Sequence, residues 1–251
     1  MVVNLINDLS LARGSDLVIN DQITIRQPTI DEIAEIGEVK YYSFCQNFTA
    51  HTLDENVIVY LDKLGIDFTT ISDWELFVGL VSTYDQDIAT LIFGNLDITT
   101  LQATNLEDGS LCLQNKDGVV ITEDIYNQVA RNIRKMNNMP EPQFTRIMND
   151  PVQKKMAIDA AKRNVQSAMN RARFYPMRSV LLPVVSSVIA YCHWTFDEVL
   201  NMKIFRFWEV VSRIQALDNA THLYTGLYSG CVSFKDNPSF KKDLDWMRAL
   251  H

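Results

Sequence analysis

Cysteine is scarce and scattered. Cys45, Cys112, Cys192 and Cys231 are the only four in 251 residues, and they follow neither a disulfide framework nor a CxxC pattern. Histidine is as sparse. His51, His193, His222 and His251 stand singly, without the HxxxH spacing that would assemble a zinc site from one element. The phosphate-cradling patterns GxxxxGK[ST] and GxGxxG are missing. No apolar run is long enough to cross a bilayer: the longest, Val180 to Cys192, is short and contains Pro183, Ser186 and Ser187, so it reads as a core helix. The first residues, MVVNLINDLS, lack the basic start and apolar stretch of a secretory signal. The expectation is a protein of the reducing cytoplasm with free thiols, no membrane association and no cofactor.

Positive charge is missing from the first half of the chain. Up to Ala130 there are 5 Lys+Arg against 21 Asp+Glu, a balance of −16, whereas the remainder holds 18 against 10, a balance of +8. Such asymmetry governs association rather than fold, and suggests two surfaces with different tasks. An apolar content of 47% is ordinary for a globular chain of this length.

Helix-start signals dominate what is present. Thr29 with Glu32, Thr52 with Glu55, Ser72 with Glu75 and Thr195 with Glu198 all have the spacing at which a hydroxyl and a carboxylate cap each other's backbone amides, and each precedes apolar positions. Gly65 sits where a helix needs a left-handed terminator. Leu17 to Ile25, turning at Asn20 and Asp21, reads as a hairpin. Between residues 101 and 121 the texture changes to short alternating runs separated by Asp108 with Gly109 and Asp117 with Gly118, a compact β insertion. Thr122 then caps a helix over 123–138, which stops before Pro140 and Pro142. The fold class expected is mainly α with a small β element. Its acidic N-terminal part covers 1–139 and its basic helical C-terminal part covers 140–251.

The C-terminal part begins with a basic stretch, 146–178, carrying Arg146, Lys154, Lys155, Lys162, Arg163, Arg171, Arg173 and Arg178. Ala157, Ala161, Val165, Ala168 and Ala172 form a stripe of small side chains on which another helix can pack, with Lys155, Lys162 and Arg163 pointing elsewhere. A long amphipathic helix follows with Phe207, Trp208, Val211 and Ile214 on one side and a Glu209 to Arg213 pair on the other. Gly226 and Gly230 terminate it, and Asp243 to Met247 form a last short turn.

No arrangement reads as catalytic. Cys192 and His193 are neighbours, and adjacent helical residues point about 100° apart rather than at one another. Asp85 with Asp87 and Asp243 with Asp245 have the spacing of paired Mg²⁺ ligands, but lack the third acid, His or Lys that phosphoryl chemistry needs, so a carboxylate-metal nuclease is the remotest reading. Nucleic-acid binding through 146–178 is disfavoured because the adjoining −16 would repel phosphate. Complementarity to an acidic protein surface, in another molecule or on the chain's own N-terminal part, is the simpler account of the basic helix.

The segments ITIRQPTIDEIAEIGEVKYYSF, LGIDFTTISDWELFVGL, LIFGNLDI, GVVITEDIYNQVARNIRKM and FRFWEVVSRIQALDNATHLYTGLYSG run in order over most of the chain. Together they resemble the tail assembly chaperone or tail-associated proteins of tailed bacteriophages and prophages of Gram-positive bacteria. The resemblance implies a non-enzymatic protein of the host cytoplasm that binds a phage structural protein, such as the tape-measure protein. The alternatives are a virion-resident tail or baseplate component and a nucleic-acid-binding protein. The long basic helix has no counterpart role in that family, and self-association is left open. The candidate partner-binding residues are Lys155, Lys162, Arg163, Arg171 and Arg173 on the basic helix, with Tyr41, Tyr42, Trp74 and Phe77 as aromatic contacts whose helical spacing equally suits a core.

Overall fold

The computed structural model describes residues 8–106, 109–142, 150–174, 179–231, 233 and 240–248. It is mainly α with two small antiparallel sheets. In chain order the elements are α1 (Asp8–Ala12), β1 (Leu17–Val18), β2 (Thr24–Ile25), α2 (Ile30–Ile36), α3 (Glu38–Phe48), α4 (Glu55–Lys63), α5 (Asp73–Leu80), α6 (Gln86–Phe93), β3 (Gln102–Asn105), β4 (Leu111–Gln114), β5 (Val120–Ile121) and α7 (Glu123–Met136). After them come α8 (Pro151–Phe174), α9 (Leu181–Cys192), α10 (Phe196–Leu200), α11 (Ile204–Tyr228) and α12 (Phe240–Leu244).

Local signals account for several helix starts. Thr29, Ser72 and Thr195 each accept from the amide three residues on, while Glu32, Glu75 and Glu198 reach back to the cap amide, closing three capping boxes. The Thr52 signal behaves differently. Its amide donates to Asp73 Oδ1 (2.8 Å), and Asp54 takes the cap position of α4 without a side-chain cap bond. A carboxylate from the start of α5 thus displaces the local device. Gly65, at φ +71, terminates α4 as expected, whereas Gly226 lies inside α11 and Gly230, at φ +73, follows its end.

The hairpin pairs Leu17 with Ile25, and Asn20 Oδ1 accepts from the amides of Gln22 and Ile23 in its turn. In the insertion β3, β4 and β5 form a meander, with Asn115 Oδ1 bonding the amides of Asp117 and Val119 around Gly118. Asp108 falls outside the described residues. So do Arg146 and Arg178, so the basic helix is described over 151–174.

Two apolar clusters hold the helices together. The larger collects Ile23, Ile25, Ile30, Ile33, Tyr41, Phe44, Phe48, Trp74, Phe77, Ile121, Tyr126, Val129 and Ile133, together with Leu181, Val185, Val188, Val199, Ile204, Phe205, Phe207 and Val211. It therefore runs through the charge boundary near residue 139. Backbone bonds join the same parts: the Ile30 amide donates to the Met202 carbonyl (3.0 Å) and the Ile204 amide to the Pro28 carbonyl (2.9 Å). The second cluster packs α8 on α4, with Ala157, Ile158, Ala161 and Val165 against Leu53, Val57, Ile58, Leu61, Phe68 and Leu76.

The run expected as a core helix, α9, joins the larger cluster by one face. Leu181, Val185 and Val188 turn inward while Leu182 and Tyr191 face solvent, because Pro183 and the two serines leave one apolar face rather than a full circumference. Its start is secured from a distance. Glu38 Oε1 and Oε2 accept from the amides of Val180 and Leu181 at 2.8 Å each, Ser179 Oγ accepts from Leu182 (2.9 Å), and Pro183 has no amide hydrogen to satisfy. Glu38→Gln should cost about 1 kcal/mol by urea denaturation, the usual worth of a charged N-terminal cap. An unchanged midpoint would show that the carboxylate does not hold α9.

Candidate functional site

Solvent-facing groups on α8 are the most distinctive surface of the molecule. The helix has 24 residues against 9 in α4, lengths of about 36 and 14 Å at 1.5 Å per residue, so the shorter helix supports only part of the longer. Ala161 is buried (2 % exposed) at the centre of the contact. Small residues there let the backbones approach, which is why Ala157, Ala161 and Val165 form the seam.

Polar pairs flank that seam. Lys154 Nζ lies 2.6 Å from Asp67 Oδ2 and Lys162 Nζ 2.7 Å from Asp62 Oδ2, while Asn164 Nδ2 donates to Glu55 Oε1 at 2.6 Å. The Lys154 ammonium, with help from Thr69, holds the Asp67 carboxyl down at about 2. That contribution is complete above the ordinary carboxylate range and is lost as pH falls towards 2, so Asp67 stays ionised throughout the neutral range. Part of the basic charge of α8 thus answers the acidic N-terminal part of its own chain. Lys162, a candidate for a partner, is engaged there.

Beyond Val165 no residue of α8 joins either apolar cluster. Every residue from Gln166 to Phe174 is exposed, including Met169 at 63 % and Phe174 at 77 %. Lys155, Arg163, Arg171 and Arg173 form no ion pair among the described residues. At about 100° per residue, Ala168 and Ala172 continue the seam and Arg171 and Arg173 stand on either side of it. Arg163 projects from the opposite face.

The aromatic candidates are core residues. Tyr41, Trp74 and Phe77 are buried, with Phe77 stacked on Tyr126 (ring centroids 4.4 Å apart) and edge-on to Phe48 (4.9 Å). Burial pushes the hydroxyl pKa of Tyr41 well up, and that of the partly buried Tyr42 up against a lowering contribution from Trp208. Their helical spacing serves packing, and a partner could reach Tyr41, Trp74 or Phe77 only by opening the core. Beneath Tyr41, burial likewise raises the Cys45 thiol to about 12, which keeps it protonated and unreactive.

Other polar groups have structural partners. Asp85 caps α6 by accepting from the amides of Asp87 and Ile88, and Asp243 pairs with Arg248 at 2.9 Å. Cys192 is partly buried at the end of α9, and exposed His193 is its left-handed terminator at φ +57. Among the described residues no three His, Cys, Asp or Glu side chains gather where they could hold a metal ion.

The sequence reading passed over one polar corner, at the start of α4. His51 Nδ1 accepts from the Leu53 amide (3.0 Å), its Nε2 lies 3.6 Å from Asp73 Oδ2, and Asp54 Oδ2 accepts from the His51 amide (2.8 Å). His51 and Asp54 border an open cleft of about 690 Å³ together with Arg134 and Glu141. A histidine with an aspartate three residues on was the one signal available, and it marks a turn as readily as a site. Compared with protein-family models, with curated proteins and with solved structures, the chain matches none.

Proposed function

We propose that this chain is a non-enzymatic bacteriophage tail-assembly protein, of the chaperone-like kind its segments resemble. In this reading it holds a phage structural protein, such as the tape-measure protein, on the outer half of α8. The observation that carries the proposal is the exposed stretch from Gln166 to Phe174, where Ala168 and Ala172 continue a face already used for helix packing and Met169, Arg171 and Arg173 flank it. Helix-in-groove contacts of this type take amphipathic segments, and the acidic remainder keeps the loaded complex soluble.

Placing the photo-cross-linker p-benzoylphenylalanine at position 172 of the full chain, co-expressed with the phage structural genes, tests the reading. A nuclease-resistant adduct with one structural protein is expected, with none from the same probe at exposed Ser82. Retention of DNA that falls steeply with salt, and no protein adduct, would replace this proposal by nucleic-acid binding.

A further inference from the structure

We infer that the occupant of the outer half of α8 is an acidic amphipathic helix, laid along it as α4 is laid along the inner half. The inference rests on the partner-binding reading above and specifies the chemistry of that partner.

The inner half displays what this helix surface accepts. A seam of Ala157, Ala161 and Val165 receives apolar side chains of α4, and carboxylates of the acidic part, Asp62 and Glu55, meet Lys162 on one flank and Asn164 on the other. The outer half repeats the pattern in register. Ala168 and Ala172 prolong the seam. Arg171 follows Asn164 by seven residues, about two turns, and Arg173 follows Lys162 by eleven, about three turns, so each returns to the same flank. Met169 lies eleven residues past Ile158 and supplies the corresponding apolar edge. Nothing among the described residues covers these positions, and both arginines form no ion pair there.

The inner half meets carboxylates of its own chain through Lys154, Lys162 and Asn164, and the outer half carries two guanidinium groups in place of these, so it asks for carboxylates in the same way. Arginine also offers a fork that a carboxylate can bridge with two bonds, which a lysine does not. Phosphate would satisfy the arginines but leave the apolar seam of Ala168, Met169 and Ala172 wet; a helix carrying Asp or Glu beside small and aliphatic residues satisfies both.

The probe is a peptide of residues 53–64, the α4 sequence itself, acetylated, amidated and stapled across the exposed positions 56 and 63. It is titrated into the full chain labelled with [¹³C-methyl]Met, and the control peptide carries Asp54→Lys, Glu55→Lys and Asp62→Lys. The Met169 methyl signal should move with the acidic peptide and stay still with the control, while that of buried Met202 does not move with either. The double variant Arg171→Glu with Arg173→Glu should weaken the acidic peptide at least tenfold, and added salt should weaken it further. An unmoved Met169 signal, or an equal response to both peptides, overturns the inference. If the position-172 cross-linker captures a structural protein while the acidic peptide leaves Met169 unmoved, partner binding stands and the acidic-helix inference falls; if neither responds, both fall.

Discussion

Phe77→Ala should lower stability by about 3–5 kcal/mol, the range for deleting a buried aromatic ring, and reduce the thermal midpoint by about 10 °C for a chain of this size. The ring is 2 % exposed and touches four others, with centroids 4.4 Å to Tyr126, 4.9 Å to Phe48, 5.7 Å to Trp74 and 6.1 Å to Tyr84. Those rings belong to α3, α5, α7 and the turn before α6, so a hole at Phe77 loosens several helices at once. They also cannot collapse easily into the space, because Tyr126 is tied by its hydroxyl to the Phe48 carbonyl at 3.1 Å. Phe77→Leu retains most of the volume and should cost less than half as much. Urea unfolding followed by tryptophan fluorescence and by circular dichroism measures both. A loss below about 1 kcal/mol for Phe77→Ala would mean that the aromatic cluster is not the keystone of the larger core.

Which features could be read from the sequence depended on how far apart the interacting residues lie. Capping boxes at Thr29, Ser72 and Thr195 involve residues three apart, so the chain displays them without any knowledge of the fold. The Thr52 pattern looked equivalent and was overruled by Asp73, twenty-one residues away. Glu38 capping α9 spans more than 140 residues and leaves no local trace. The aromatic candidates show another limit: Tyr41, Trp74 and Phe77 occur at helical spacing, and spacing specifies a face without specifying whether protein or a partner covers it. For the basic helix, the opposed charges of the two parts indicated that an acidic surface would meet it. The pairs Lys154 with Asp67 and Lys162 with Asp62 became assignable only once α8 was set antiparallel on α4. The stopping point of that contact after Val165 is a difference in helix length. It makes the outer half of α8 a candidate site, and no motif encodes it.

The α4–α8 seam gives the second large effect. Ala161→Glu places a carboxylate among Ile58, Leu61, Phe68 and Leu76, where the side chain neither fits nor finds a cation directed into the seam. Overpacking alone costs about 1–3 kcal/mol, and stranding a charge in an apolar contact raises the total to about 4 kcal/mol. The surrounding pairs cannot offset this, since exposed ion pairs contribute about 0–1 kcal/mol each. Release of α8 from α4 therefore becomes favourable, while the larger cluster, which contains no residue of α8, keeps its packing. Limited trypsin digestion should cut the variant rapidly at Lys154, Lys155, Lys162 and Arg163, with the tryptophan signal of the main core little changed. Lys162→Ala serves as the comparison: it removes one flanking pair, leaves the seam apolar, and should cost less than 1 kcal/mol with α8 still protected. Protease resistance of α8 in Ala161→Glu would show that the helix is held by something other than the Ala157, Ala161 and Val165 seam. The outer half would then lose its template, because a partner helix is inferred there only on the ground that this seam is what binds α4.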